Sequence, residues 1–218
     1  VTGRIGGTVV EVPLDRTDVL ARAAAAATEP VPTPNTTTTS PVPAPAPISR
    51  ADPPLPDEPP TPLQTAFTGK LVVWSEGAVR PYDARRLNGV KFYALYFSAS
   101  WCGPCREFTP ELVRDYAALK QLYPEFELIF VSSDQSEADM HGYLRDDAMP
   151  WPALRFADRR QKEAARHAGR GIPCLVLVDS DGKELAHSYR RGRYVGPAQV
   201  VEDTWKILKA HRRSLAGR

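Results

Sequence analysis

Two thiols three residues apart, Cys102 and Cys105 in Trp101-Cys102-Gly103-Pro104-Cys105, are the side chains in this sequence best suited to chemistry. A C-x-x-C pair either closes a reversible disulfide or supplies half of a zinc site. A structural zinc site wants two further ligands, normally another close pair. The third cysteine, Cys174, is isolated, and His141, His167, His187 and His211 have no paired spacing. Redox exchange is therefore the favoured reading, with no metal and no cofactor beyond a Cys102–Cys105 disulfide.

Position sharpens this reading. The pentapeptide follows a continuous apolar and aromatic run, Phe92-Tyr93-Ala94-Leu95-Tyr96-Phe97-Ser98, the mark of a strand buried on both faces. After it, Phe108, Leu112, Tyr116, Leu119 and Leu122 recur at helical spacing, and Pro124 ends the pattern. The start of a helix offers unpaired backbone N–H groups and the positive end of the dipole. A thiolate there is stabilised, and its pKa falls from about 8.5 toward neutrality. Cys102 is thus the expected nucleophile, partly exposed. Cys105, about one turn along on the same face, is the expected resolving thiol. Pro104 suits the first turn because its missing N–H forfeits no bond there. Gly103 lets the backbone pass close beneath a partner chain.

Gly171-Ile172-Pro173 stands before a further apolar run, Cys174 to Val178. A cis proline here turns the neighbouring backbone toward the thiols. Docked substrate can then pair with that backbone as an added strand. A strand-entry proline is the alternative, and the cis form is favoured. Cys174 has two readings, a third redox thiol near the dithiol or a small buried strand residue, and packing is the favoured one. Trp101 is expected to shield the disulfide and offer a flat docking surface. Trp151 serves either in the core or in a substrate contact.

The elements that must position these groups follow from periodicity. Lys70 to Trp74 and Phe126 to Val131 read as strands, and Ser136 caps a helix running to Asp146. Arg159 to His167 reads as a shorter helix. Cys174 to Val178 returns through the turn Asp179-Ser180-Asp181-Gly182 into Glu184 to Tyr189. Pro197 to about His211 closes the chain as a helix, with Val200, Val201, Trp205 and Leu208 on one side. The predicted class is α/β, a mixed central sheet flanked by helices.

Upstream the composition changes. Of the 22 prolines, 13 lie between Pro30 and Pro62. Residues 28–66 read as a Pro/Ala/Thr-rich linker, a semi-rigid polyproline-type spacer that buries too little surface to fold alone. Residues 1–27 read as a short weakly ordered arm, with a strand at Thr8 to Val12 and an alanine-rich helix at Leu20 to Ala27. Residues 67–218 form the domain that carries the dithiol. The net charge of +2 gives no electrostatic footprint for nucleic acid, and Arg190, Arg191 and Arg193 read as a solvated turn. No apolar run approaches the ~20 residues of a membrane span. The tether and the absence of an initiator methionine favour an extracytoplasmic setting, periplasmic or secreted, over a cytoplasmic one.

Trp101 to Cys105 together with Ile172-Pro173 resembles the thioredoxin superfamily. Ala94 to Cys102, Cys105-Arg106-Glu107-Phe108-Thr109-Pro110, Val131-Ser132-Ser133-Asp134 and Met149-Pro150-Trp151 resemble its nucleoredoxin and tryparedoxin branch more closely. The similarity runs from about Gly69 to Leu208. It implies a thioredoxin fold, dithiol–disulfide exchange, Cys102 as nucleophile, Cys105 as resolving thiol and a cis Pro173. There are departures: Gly103 stands where the branch usually has proline, and Cys174 where relatives commonly have threonine. Tyr96 replaces the buried aspartate of bacterial thioredoxins, so the proton-transfer base is open, and Glu107 reads as an exposed surface carboxylate.

The activity so implied is that of a protein-disulfide reductase, working through a mixed disulfide on disulfide-containing client proteins. A thioredoxin-like or other dithiol donor would supply its electrons, and a monomer is expected. The other readings are a reductant dedicated to one extracytoplasmic pathway and a redox-gated binding protein. A peroxidase is disfavoured, because Leu95 and Ala99 stand where peroxiredoxins place proline and threonine.

Overall fold

The computed structural model describes residues 3–5, 8–10 and 59–217. The first two pieces pair as an antiparallel ribbon, β1 (Gly3–Ile5) with β2 (Thr8–Val10); β2 falls within the strand expected at Thr8 to Val12, whose last two residues lie outside the described ones, and β1 is a strand that was not expected. The alanine-rich segment Leu20 to Ala27 and most of the spacer lie outside the described residues.

The larger unit opens with α1 (Pro62–Phe67), a helix where the composition predicts the end of the linker. Its signals are compact: Thr61 caps the Gln64 N–H at 3.3 Å, and Pro62 occupies the first turn. Leu63 and Phe67 are both buried. Folded structure therefore begins before residue 67, since these two side chains pack into the core of the sheet that follows.

Seven strands form one mixed sheet in the order β4-β3-β7-β6-β5-β8-β9. They are β3 (Leu71–Ser75), β4 (Ala78–Pro81), β5 (Phe92–Ser98), β6 (Phe126–Ser132), β7 (Ala153–Leu154), β8 (Cys174–Asp179) and β9 (Glu184–His187). β5 and β6 run parallel in full register from Phe92↔Phe126 to Ser98↔Ser132, while β8 lies antiparallel on the other side of β5. Every residue of β5 and β6 is buried, as their unbroken apolar runs require.

Alternation sends the two sets of side chains to opposite faces. Phe92, Ala94 and Tyr96 meet α2 (Gly103–Leu122), α3 (Glu137–Asp146) and α5 (Pro197–Ala216) through Leu112, Tyr116, Tyr143, Val200 and Leu208. Tyr93, Leu95 and Phe97 face α1, Leu87 and Ala164. Helices thus cover both faces, and the chain has the thioredoxin fold that the resemblance implies.

Further elements depart from expectation. The helix expected from Arg159 to His167 is two short pieces, a 3₁₀ turn at Phe156–Asp158 and α4 (Lys162–Ala165). Gln161 restarts the chain by accepting the Ala164 N–H at 2.9 Å, so the turns do not merge. The return strand stops at His187 because Ser188 inserts its hydroxyl into the ladder, accepting from Leu175 N–H at 2.9 Å and donating to Leu175 O at 3.0 Å. Beyond it, β10 (Tyr189–Arg190) and β11 (Arg193–Tyr194) make a separate small hairpin.

Candidate active site

The end of β5 delivers the chain into Ala99-Ser100-Trp101 and then α2, and this junction carries the dithiol. Cys102 is the N-cap of the 20-residue α2, with extended backbone, and the Cys105 N–H points at its Sγ at 3.3 Å. Its carbonyl accepts the first helical bond, from Arg106 N–H at 3.1 Å. The sulfur that sits here therefore meets the unpaired N–H groups and positive dipole end of a long helix.

Cys102 and Cys105 are bonded, with Cα atoms 5.2 Å apart. One helical turn brings the two sulfurs together without displacing the backbone. Cys105 is fully buried, and Cys102 is 6% exposed. Cys102 is thus less open than the sequence reading held, because Ala99 and Ile172 pack on the pair. It is still the more accessible residue of the two. Trp101, beside it, is 60% exposed. Pro104 lies in the first turn, and a Cβ added at Gly103 would meet nothing within 4 Å, so the space over Gly103 is open to an approaching chain.

Across from the dithiol, the Ile172–Pro173 bond is cis. Among the described residues, nothing donates to or accepts from the backbone of Ile172. Tyr194 donates its hydroxyl to Pro173 O at 2.9 Å, fixing the loop from its other side. Cys174, the next residue, is buried and free. It points to the Phe97 and Val131 face of the sheet and does not join the Ala99, Cys102, Cys105 and Ile172 cluster. Burial pushes its thiol up to about 11, which disfavours a nucleophilic thiolate.

Beneath Cys105 lies a buried hydroxyl chain that the sequence reading did not find. Thr109 donates to Cys105 O at 2.9 Å and meets the hydroxyls of Tyr96 at 2.9 Å and Tyr143 at 2.7 Å. Tyr143 continues to Ser98 Oγ at 2.9 Å. Burial holds the Tyr96 phenol well above its ordinary range, so it keeps its proton and helps fix the first turn of α2. Asp134 does the same for the preceding loop, accepting the Ser100 N–H at 2.7 Å and its hydroxyl at 2.8 Å. Apart from the Thr109–Cys105 bond within α2, these partners come from separate elements, which local spacing cannot reveal.

Other residues singled out in the sequence fall elsewhere. Trp151 is wholly buried in the core, edge-on to Tyr96 and Tyr116 at 6.4 and 5.4 Å. Glu107 is exposed on α2. Among the described residues, no group of three His, Cys, Asp or Glu side chains is placed to hold a metal ion, and no helix is long and apolar enough to cross a membrane.

Comparison with known proteins adds to this geometry. A family model described as thioredoxin-like matches residues 89–184. Nucleoredoxin from Danio rerio is 35% identical over 136 residues, covering 62% of this chain and 30% of that protein. Probable nucleoredoxin 1 from Arabidopsis thaliana is 45% identical over 95 residues, covering 43% of this chain and 16% of that protein. The match therefore spans less than a third of either relative. The structure of tryparedoxin I from Crithidia fasciculata is 33% identical, covers 57% of this chain and 84% of that one, and aligns with a TM-score of 0.47.

Proposed function

The chain belongs to the thioredoxin superfamily, in its nucleoredoxin- and tryparedoxin-like branch, and on that premise we propose that it reduces protein disulfides by exchange at Cys102 and Cys105. The observation that carries the reading is the N-cap position of Cys102, with the Cys105 N–H aimed at its sulfur. In the reduced protein that N–H and the helix dipole stabilise a thiolate.

The Cys102 thiolate attacks one sulfur of a client disulfide. That S–S bond breaks, a Cys102–client bond forms, and the displaced client sulfur leaves as a thiolate and takes up a proton. Cys105 then gives up its proton and attacks Cys102 Sγ. The mixed disulfide breaks, the second client thiol departs, and the Cys102–Cys105 bond closes. Two electrons pass from the dithiol to the client, and two protons end on its thiols. An external dithiol restores the reduced pair by the reverse exchange.

The surroundings support this order of attack. Cys102 keeps a little exposed surface, whereas Cys105 is fully covered. Trp101 offers an exposed ring beside it. The unpaired backbone of Ile172 is suited to receive an extended client segment as an added strand.

Trapping tests the mechanism. Pre-reduced Cys105→Ser protein mixed with insulin accumulates a covalent adduct through Cys102, which dithiothreitol releases. Cys102→Ser protein forms none and reduces no insulin. An adduct through Cys174, or unimpaired insulin reduction by Cys102→Ser, overturns the proposal.

A further inference from the structure

The loop that faces the dithiol has little backbone bonding of its own. Among the described residues, no backbone group of residues 169–173 is hydrogen-bonded to another backbone group. Such a segment depends on side chains to keep its place. The side chains that tie it down come from one later stretch, residues 187–194.

Three ties run along the loop. At its start, His187 accepts the Tyr189 N–H on Nδ1 at 2.8 Å, so its proton sits on Nε2, which donates to His167 O at 3.1 Å. In its middle, the Tyr189 ring covers the glycines. A Cβ added at Gly169 would overlap that ring, and one added at Gly171 would stand 3.2 Å from its hydroxyl. At its end, Tyr194 donates its hydroxyl to Pro173 O at 2.9 Å.

The hairpin brings both tyrosines to one face. β10 and β11 pair Tyr189 directly with Tyr194, their rings 5.0 Å apart, across the two-residue turn Arg191-Gly192, in which both φ are positive, 51° and 78°. Arg190 and Arg193 alternate to the opposite face, where Arg190 pairs with Asp203 on α5. Arg191 and Arg193 are exposed, as a solvated turn requires.

From these ties we infer that Tyr189 and Tyr194 are positioning residues for the client. They act through the loop, holding the Ile172 backbone ready for an extended client segment to add to it as a strand. A loop held in its docking form forfeits less freedom when the client arrives. The inference rests on the dithiol reading and deepens it. The tyrosines favour disulfides carried on polypeptide over small disulfides, and the acidity of Cys102 is left to the start of α2.

The test compares two oxidants of the pre-reduced Cys105→Ser chain: insulin, which has backbone to dock, and hydroxyethyl disulfide, which has none. Tyr194→Phe removes one hydrogen bond, so its adduct with insulin forms about 5-fold more slowly. Tyr189→Ala slows that adduct at least as much, and Tyr189→Phe, which keeps the ring, restores the parental rate. In every variant, the rate with hydroxyethyl disulfide and the pH midpoint of Cys102 alkylation stay at the parental values. Tyr194→Phe leaves each ring in place, so it tests the inference even where Tyr189→Ala unfolds the chain. Equal slowing with both disulfides, or an insulin rate untouched by Tyr194→Phe, overturns the inference and leaves the dithiol proposal standing. A parental Cys105→Ser chain that forms no adduct with either disulfide overturns the dithiol proposal itself.

Discussion

Replacing Thr109 by valine removes one oxygen from under the resolving thiol and keeps the shape of the side chain. A hydroxyl has one proton and two lone pairs. Thr109 gives its proton to Cys105 O, which leaves its lone pairs for Tyr96 and Tyr143, all three within 2.9 Å. In the valine variant, Tyr143 can turn to Ser98 at 2.9 Å. Tyr96 recovers less well, since the hydrogen bond left to it is the long one to Cys105 O at 3.5 Å. One hydrogen bond is lost at about 1 kcal/mol, and one buried hydroxyl is stranded at about 1–3 kcal/mol, so Thr109→Val destabilises by about 3 kcal/mol.

Tyr96→Phe alone behaves differently. Its ring stays packed edge-on to Phe108 and Trp151, and only one bond goes, at about 1 kcal/mol. In the valine background the same change removes a stranded group, so it is neutral or stabilising by up to about 1 kcal/mol. Urea unfolding of the four proteins, with m unchanged, reads the coupling directly. A cost for Tyr96→Phe that is equal in both backgrounds would refute the network as described.

Two further predictions concern groups outside the exchange reaction. Cys174, with a thiol pushed up to about 11 by burial, resists iodoacetamide in the native protein at pH 7.5 and reacts fully once denatured; rapid native labelling contradicts its placement in the core. Burial first, and then the neighbouring Arg166 charge, hold His167 below its ordinary 6.5. Its contribution is therefore intact above pH 6.5 and is lost as pH falls from there toward the folded value, because the unfolded chain takes up the proton first. Tm should drop on acidification through this window, and less so in His167→Gln; an unchanged slope in that variant removes His167 as the cause.

What the sequence displayed was the part encoded locally. The uninterrupted run at Phe92 to Ser98 and the proline brackets at 104 and 124 located β5 and α2 closely, and Ser136 marked the first residue of its helix. The dithiol and the proline opposite it were legible for the same reason, since each is a short motif at an element boundary. The rest depended on distant partners. α1 was hidden because proline surrounds its cap, and β7 is two residues long and exists only between its neighbours in the sheet. The hydroxyl chain joins Tyr96 to Thr109, 13 residues away, and Thr109 to Tyr143, 34 residues away.

The most direct test of the exchange site is the pH dependence of iodoacetamide labelling of the reduced protein, with the modified residue identified by mass spectrometry. Cys102 should react first, with a midpoint at least about one pH unit under the ~8.5 of free cysteine, while Cys105 stays protected. A midpoint at or above that of free cysteine, or modification of Cys105 ahead of Cys102, would contradict an N-cap thiolate as the attacking group.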